Sequence, residues 1–397
     1  MAMAHRSWKP ALAGTVVAVL LAACGGGGGE VPGTTPPAGA PTTPGAFRAV
    51  VSFGDSLSDA GSYAPATSLA GNGQAPYLGG KFTNNGATST VWVENIAARL
   101  GIALTPHEVG FAGQSVKCPA AANAALASSC TAYGQGGARV TDPNGIGRSG
   151  GALTVPVKTQ IANHLARFGS FRDSDLVLVW AGANDVFTQF AVFGAAAGQV
   201  QANAAAGRIT ADEANNQLLA AQLAAQEAMK QAALELAGYV KTEILARGAR
   251  YVAVLDLPDI VDTPFGATVT PAAQPVLRAL SETFNLWLVE GLAGQPVRIA
   301  SMYALNKAVK ASPGAYGLTN GTIPVCDVER IRALTAGRIT DGSSLFCNGT
   351  PGVPFNTLRT GADVSTWQFA DGVHPSTGGH KVISDEALRL LRSFGWL

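Results

Sequence analysis

The sequence predicts an α/β protein in which a parallel sheet is covered by helices on both faces. Two observations carry that expectation. From about Ala46 onward, short and continuously apolar runs alternate with longer stretches patterned at helical spacing, as strands buried on both faces require. Each apolar run also empties into small or polar residues, as strands do when they end in site-forming loops.

Four runs stand out as strands: residues 48–53, 176–180, 251–255 and 297–299. The clearest helix opens at Thr210-Ala211-Asp212-Glu213, where threonine and glutamate satisfy each other's orphan backbone donors in a capping box. Met229, Ala233, Leu236, Val240 and Ile244 then recur on one face. Gly248 supplies a stop after Arg247, and Glu243 is spaced to pair with Arg247. A second helix is expected over residues 271–292. Residues 81–151 and 312–366 are rich in Gly, Ser, Thr and Asn and read as long loops.

Of 397 residues, 47% are hydrophobic and 13% charged, with 27 basic against 26 acidic side chains. A chain this apolar buries a core rather than staying disordered, and a net charge of +1 offers no basic field for nucleic acid. No nucleic-acid partner is expected.

The first residues read as an export signal. His5, Arg6 and Lys9 precede an apolar stretch from Ala11 to Leu21, which is about half the length that a bilayer span requires. The stretch ends in Leu21-Ala22-Ala23-Cys24, which resembles the lipobox of bacterial lipoproteins; the alternative is an ordinary secretory signal with a stray cysteine. The expected organisation is a signal over residues 1–23, a Gly/Pro/Thr-rich tether over 24–46 and one catalytic domain over 47–397. Lipid on Cys24 would anchor the chain at the bacterial cell envelope, with the outer membrane as the expected face, and without it the protein would be secreted. Loss of Arg6 and Lys9 with the signal turns the net charge from +1 to −1.

With Cys24 set aside for lipid, four cysteines remain. Cys118 with Cys130 and Cys326 with Cys347 each enclose a short loop, and local pairing is the economical choice among three connectivities in an oxidising envelope. The chain has no C-x-x-C and no H-E-x-x-H, so no metal site is expected, and no cofactor.

Four pieces carry chemistry. Gly54-Asp55-Ser56-Leu57 follows the first strand, where Gly54 allows a tight turn and Ser56 projects at the sheet edge near a helix start that favours negative charge. A serine hydroxyl needs a base. His5 leaves with the signal, His107 and His164 sit in no distinctive setting, and His380 follows Gly378-Gly379 at a helix. His374 differs, because Asp371 stands three residues upstream in Asp371-Gly372-Val373-His374-Pro375 and can reach its ring from the same turn. Asn184 follows the second strand and offers a side-chain donor for an oxyanion, and the glycines of Tyr133-Gly134-Gln135-Gly136-Gly137 let a backbone N–H come close. The order Ser, Asp, His fits an α/β-hydrolase. However, Ser58 replaces the second glycine of G-x-S-x-G, and acid and base are only three residues apart.

Together these pieces resemble the GDSL family, or SGNH hydrolases, over residues 47–397. The resemblance implies a flavodoxin-like three-layer α/β/α fold and ester hydrolysis through an acyl-serine intermediate. By motif it assigns Ser56, Asp371 and His374 to catalysis, and Ser56, Gly137 and Asn184 to the oxyanion hole, with Gly136 as the alternative donor. Leu257-Pro258-Asp259 and Ser312-Pro313-Gly314 resemble lesser stretches of the family. One departure is that Ala132 or Tyr133 stands where the glycine block usually opens with Asn, behind a cysteine-containing insertion. The expected substrate is a lipid or short-chain acyl ester. Alternatives are phospholipase A or lysophospholipase action, lipid acyl transfer, polysaccharide deacetylation, or a lipoprotein binding module that has lost activity.

Overall fold

A computed structural model describes residues 39–64, 79–86, 88–340, 342–349 and 356–397. The expected export signal, Cys24 and the first part of the expected tether lie outside the described residues. Four strands, β1 (Ala49–Gly54), β4 (Asp175–Trp180), β5 (Tyr251–Leu255) and β6 (Arg298–Ala300), form a parallel sheet in the order β1-β4-β5-β6. These are the four runs read from the sequence, each within a residue of its expected bounds. Among the described residues two further strands, β2 (Glu108–Phe111) and β3 (Gln114–Lys117), make a separate antiparallel hairpin.

On the free side of β1 the chain 131–135 runs alongside it. Ser52 N–H donates to Thr131 O, Tyr133 N–H to Ser52 O and Gln135 N–H to Gly54 O, with a parallel bridge at Ala132. Counting this segment as the second strand of the sheet, the order is 2-1-3-4-5. The switch point then falls between β1 and β4, beyond whose carboxyl ends a crevice is expected.

Side chains alternate across the sheet and sort into two cores. Val51, Phe53, Val177, Val179, Val252 and Val254 face helices Val157–Phe168, Ala211–Tyr239 and Gln274–Gly291. Val50, Leu176, Leu178, Ala253 and Leu255 face helices Trp92–Arg99, Met302–Ala311 and Thr377–Ser393. The fold is thus a three-layer α/β/α sandwich.

The capping box at Thr210 and Glu213 forms as expected, but the helix it starts ends its regular part at Tyr239. It continues through a π turn, Val240–Ile244, and a 3₁₀ turn, Leu245–Arg247, before Gly248 closes it. These turns alter the i,i+4 spacing, and the expected Glu243–Arg247 pair does not form; the Glu243 carboxylate accepts instead from the Thr242 hydroxyl. The expected helix over residues 271–292 is found as Gln274–Gly291.

The two supposed loops are more ordered than their composition suggests. Residues 81–151 contain helix Trp92–Arg99 and the β2–β3 hairpin, and residues 312–366 contain helix Val328–Leu334. Both disulfides pair locally as expected, with Cα separations of 5.4 Å for Cys118–Cys130 and 5.7 Å for Cys326–Cys347. The end of the tether is docked on the C-terminus: Trp396 Nε1 donates to Pro41 O, and Gly45 N–H donates to Trp396 O. Among the described residues, no helix is long and apolar enough to cross a membrane.

Candidate active site

The site is assembled at the carboxyl edge of the sheet, around the crevice at the switch point. β1 ends at Gly54, where a Cβ would lie 2.2 Å from Trp180 O, so only glycine lets β1 and β4 approach this closely at their tips. Buried Gln160 clasps that glycine, accepting from its N–H at 2.9 Å and donating to its carbonyl at 2.8 Å. The Asp55 carboxylate then accepts from Leu57 N–H and starts the short 3₁₀ turn Ser56–Ser58.

Ser56 is 8% exposed, and its Oγ lies 2.9 Å from His374 Nε2. The other ring nitrogen, Nδ1, is 2.7 Å from Asp371 Oδ2 and 2.9 Å from Oδ1. Asp371 is fixed from three further directions, accepting from Val373 N–H, His374 N–H and Ser344 N–H. Burial alone would raise the Asp371 carboxyl, but the His374 charge and the hydrogen bonds from His374 and Ser344 outweigh it and hold the group well below the usual carboxylate range. An ionised Asp371 sets the imidazole orientation and leaves Nε2 to take a proton from Ser56.

β4 ends in Gly182, and helix Ala183–Ala205 carries Asn184 at its first turn. Asn184 Nδ2 donates one proton to Ala138 O at 2.9 Å, which leaves its second proton for a ligand. Next to it, the Asp185 carboxylate accepts from Val140 N–H and from Arg139 Nε, so the start of this helix is stitched to the segment that follows Gly137.

The two candidate glycines differ in the partners of their N–H groups. Gly136 N–H is spent on buried Asp59, to whose Oδ2 it donates at 2.9 Å. Among the described residues, Gly137 N–H and Ser56 N–H have no acceptor. Gly137 has φ +76, and a Cβ there would sit 2.0 Å from Ile146 O, so the turn that presents its N–H demands glycine.

The remaining histidines are built into the core. His164 stacks on Phe171 at 4.3 Å, His107 stacks on Tyr133 at 4.4 Å, and His380 is fully buried in the first turn of helix Thr377–Ser393. Asp259 of the Leu257-Pro258-Asp259 stretch is buried and bound by Arg278 and Lys307, a structural clamp beside the site. The residues that sequence reasoning missed are Asp59, Tyr63, Gln160 and Ser344. Asp59, Tyr63 and Gln160 act through side-chain bonds to distant backbone atoms, and Ser344 through its own N–H to the Asp371 carboxylate, so none leaves a local motif.

A cavity of about 590 Å³ opens beside Ser56 and His374. Its lining is mostly apolar and comes from both faces of the sheet. Met302, Leu305, Leu318, Val382 and Ile383 belong to one core layer, and Phe187, Phe190, Ile260 and Phe265 to the other.

This fold and site define an α/β/α protein with a serine, an imidazole and a carboxylate in hydrogen-bonded series at the carboxyl edge of its sheet. The chain belongs to the GDSL-like lipase/acylhydrolase family, whose profile matches residues 50–387. Two curated relatives, both named esterase EstA, come from Pseudomonas aeruginosa and Pseudomonas putida. Each is 34% identical over 145 residues, which is 36% of this chain and 20% of the relative. The match therefore spans one fifth of the length of those relatives.

Proposed function

We propose that the chain hydrolyses carboxylic esters through an acyl-serine formed on Ser56. The observation that carries this reading is the hydrogen-bonded line from Ser56 Oγ through His374 to Asp371, set at the mouth of an apolar cavity. His374 takes the Ser56 proton as Oγ attacks the carbonyl carbon. The resulting oxyanion is met by Ser56 N–H, Gly137 N–H and the second Asn184 Nδ2 proton. His374 then returns the proton to the departing alcohol. A water attacks the acyl-serine, gives its proton to His374 and releases the acid, and Ser56 regains its own proton.

The cavity also bears on the substrate. Apolar walls on both sides of Ser56 suit an ester with apolar groups on both sides of the scissile bond, and so a lipidic ester rather than an acetylated polysaccharide. The site makes a catalyst rather than a binding module, since the serine and its base are already in contact. Leu21-Ala22-Ala23-Cys24 supports export with lipid on Cys24 and residence at the cell envelope; labelled palmitate should enter the wild type and not Cys24→Ser.

The central test is hydrolysis of p-nitrophenyl esters by wild type and Ser56→Ala. Activity in the first and none in a folded second is the expected result. Activity that survives in Ser56→Ala would refute the nucleophile.

A further inference from the structure

We infer that Tyr63 is a positioning residue that orients and polarises the peptide carrying the Gly137 oxyanion donor. The inference rests on the ester-hydrolase reading above. Tyr63 is 1% exposed and lies seven residues beyond Ser56, on the chain leaving the nucleophile turn. Its hydroxyl oxygen is 3.1 Å from Thr154 N and 2.8 Å from Gly136 O. An N–H can only donate and a carbonyl can only accept, so the direction of both bonds is settled: Thr154 N–H donates to the phenol, and the phenol donates its single proton to Gly136 O. Burial pushes the phenol's pKa well above the usual tyrosine value, which keeps that proton in place.

Gly136 O and Gly137 N–H are the two ends of one peptide unit. Because that unit is planar and trans, fixing the carbonyl oxygen fixes the N–H to point the opposite way. A donor on the carbonyl also draws charge along O=C–N–H and makes the N–H a stronger donor, as in any cooperative hydrogen-bond chain. The preceding peptide is pinned independently. Its Gly136 N–H donates to Asp59 Oδ2, and Asp59 is itself held by Ser62 N–H, Ser62 Oγ and Gly61 N–H. Both peptide planes that meet at Gly136 are thus anchored to side chains three and seven residues beyond the nucleophile. Nucleophile and oxyanion donor are referenced to one turn, and a slip of either plane would swing the Gly137 N–H off target.

Tyr63→Phe removes the hydroxyl and keeps the ring against Phe82. The expected result is a roughly tenfold fall in kcat with KM unchanged, a fraction of the hundredfold or more that loss of an oxyanion donor costs. Affinity for a tetrahedral alkylboronic acid should fall by the same factor, while affinity for a non-hydrolysable ketone analogue of the ester should not change. A merely structural role would lower the melting temperature and weaken both ligands alike, and that outcome, or unchanged boronate affinity, overturns the inference. Ring-fluorinated tyrosine at position 63 keeps the shape and is a stronger donor, so kcat should match or exceed wild type; a fall would also overturn it, even if Tyr63→Phe does not fold. An inert wild type, or activity surviving Ser56→Ala, takes down the hydrolase reading and this inference together. An active wild type with an indifferent Tyr63→Phe takes down the inference alone.

Discussion

The backbone N–H of Ser344 donates to Asp371 Oδ2 at 2.8 Å, and Ser344 stands three residues before Cys347 of the second disulfide. Asn85 ties the same segment down, donating from Nδ2 to Ser344 O and from its N–H to Cys347 O. The acid of the site is therefore supported by a loop whose far end is a covalent crosslink.

The two disulfides should consequently behave differently. Closing loops of these lengths restricts the unfolded chain by about 3 kcal/mol in either case. Replacing Cys326 and Cys347 by serine should cost that stability and also lower kcat, because Asp371 loses a fixed donor. Replacing Cys118 and Cys130 should cost stability alone. Denaturant melts and ester hydrolysis on the two double variants check this; equal kcat in both would mean that the Ser344 loop holds its place without its crosslink.

Asn184→Ala removes the proposed side-chain oxyanion donor and also the bond to Ala138 O. A donor used only in the transition state should cost about 3 kcal/mol of barrier, a hundredfold or more in kcat, with little change in KM. A rise in KM with kcat intact would mean that Asn184 binds substrate rather than the oxyanion. Steady-state kinetics separate the two.

How far the sequence speaks to this site depends on the length scale of each interaction. The central strands are legible because β1, β4 and β5 lie wholly or almost wholly inside and read as mainly apolar runs, interrupted within β1 only by Ser52. The strand-like segment 131–135 is not: Thr-Ala-Tyr-Gly-Gln has a single β-branched residue and no apolar run, and it is held by a few bonds to β1. Helix Ala183–Ala205 also escapes notice. Only Asn184, Asp185, Val186 and Val200 are buried along its length; Phe187, Phe190 and Phe193 are partly buried against the core, and the Ala and Gly residues around them blur the apolar stripe. Ser56, Asn184, Asp371 and His374 announce themselves because each combines a reactive group with a strand end or a tight turn. Tyr63 and Gln160 are single residues whose importance lies in which backbone atom they meet after folding.

The cavity makes a prediction about substrate shape. Ile383 lines it from one layer and Ala191 from the helix of the other. Bulk at Ile383, as in Ile383→Trp, should shorten the chain accepted on one side of the ester, and Ala191→Trp should shorten the chain accepted on the other. Two ester series, one varied in the acid and one in the alcohol, reveal the assignment through kcat/KM. Substitutions that affect both series equally would contradict a cavity with two separate arms.

The last prediction concerns acid stability. His164 is 2% exposed, enclosed by Phe53, Phe168, Phe171 and Tyr133, and among the described residues neither ring nitrogen has a hydrogen-bond partner. Burial pushes its pKa down from 6.5 to about 4, with His107 and the nearby Arg172 and Arg167 adding to the effect. A depressed histidine binds fewer protons in the folded state than in the unfolded one. Its contribution is therefore fully present above pH 6.5 and is lost as the pH falls toward 4. The slope approaches about 1.4 kcal/mol per pH unit for each such group. His164→Phe keeps an aromatic ring in the stack and removes both unpartnered nitrogens, so it should be at least as stable as wild type near neutral pH. Its advantage should grow as the pH is lowered. Urea melts of the two proteins at about pH 7 and about pH 5 supply the comparison, in which titrations shared by both proteins cancel. Parallel losses of stability would show that His164 takes up its proton as readily in the folded chain as in the unfolded one, and that acid acts on this protein elsewhere.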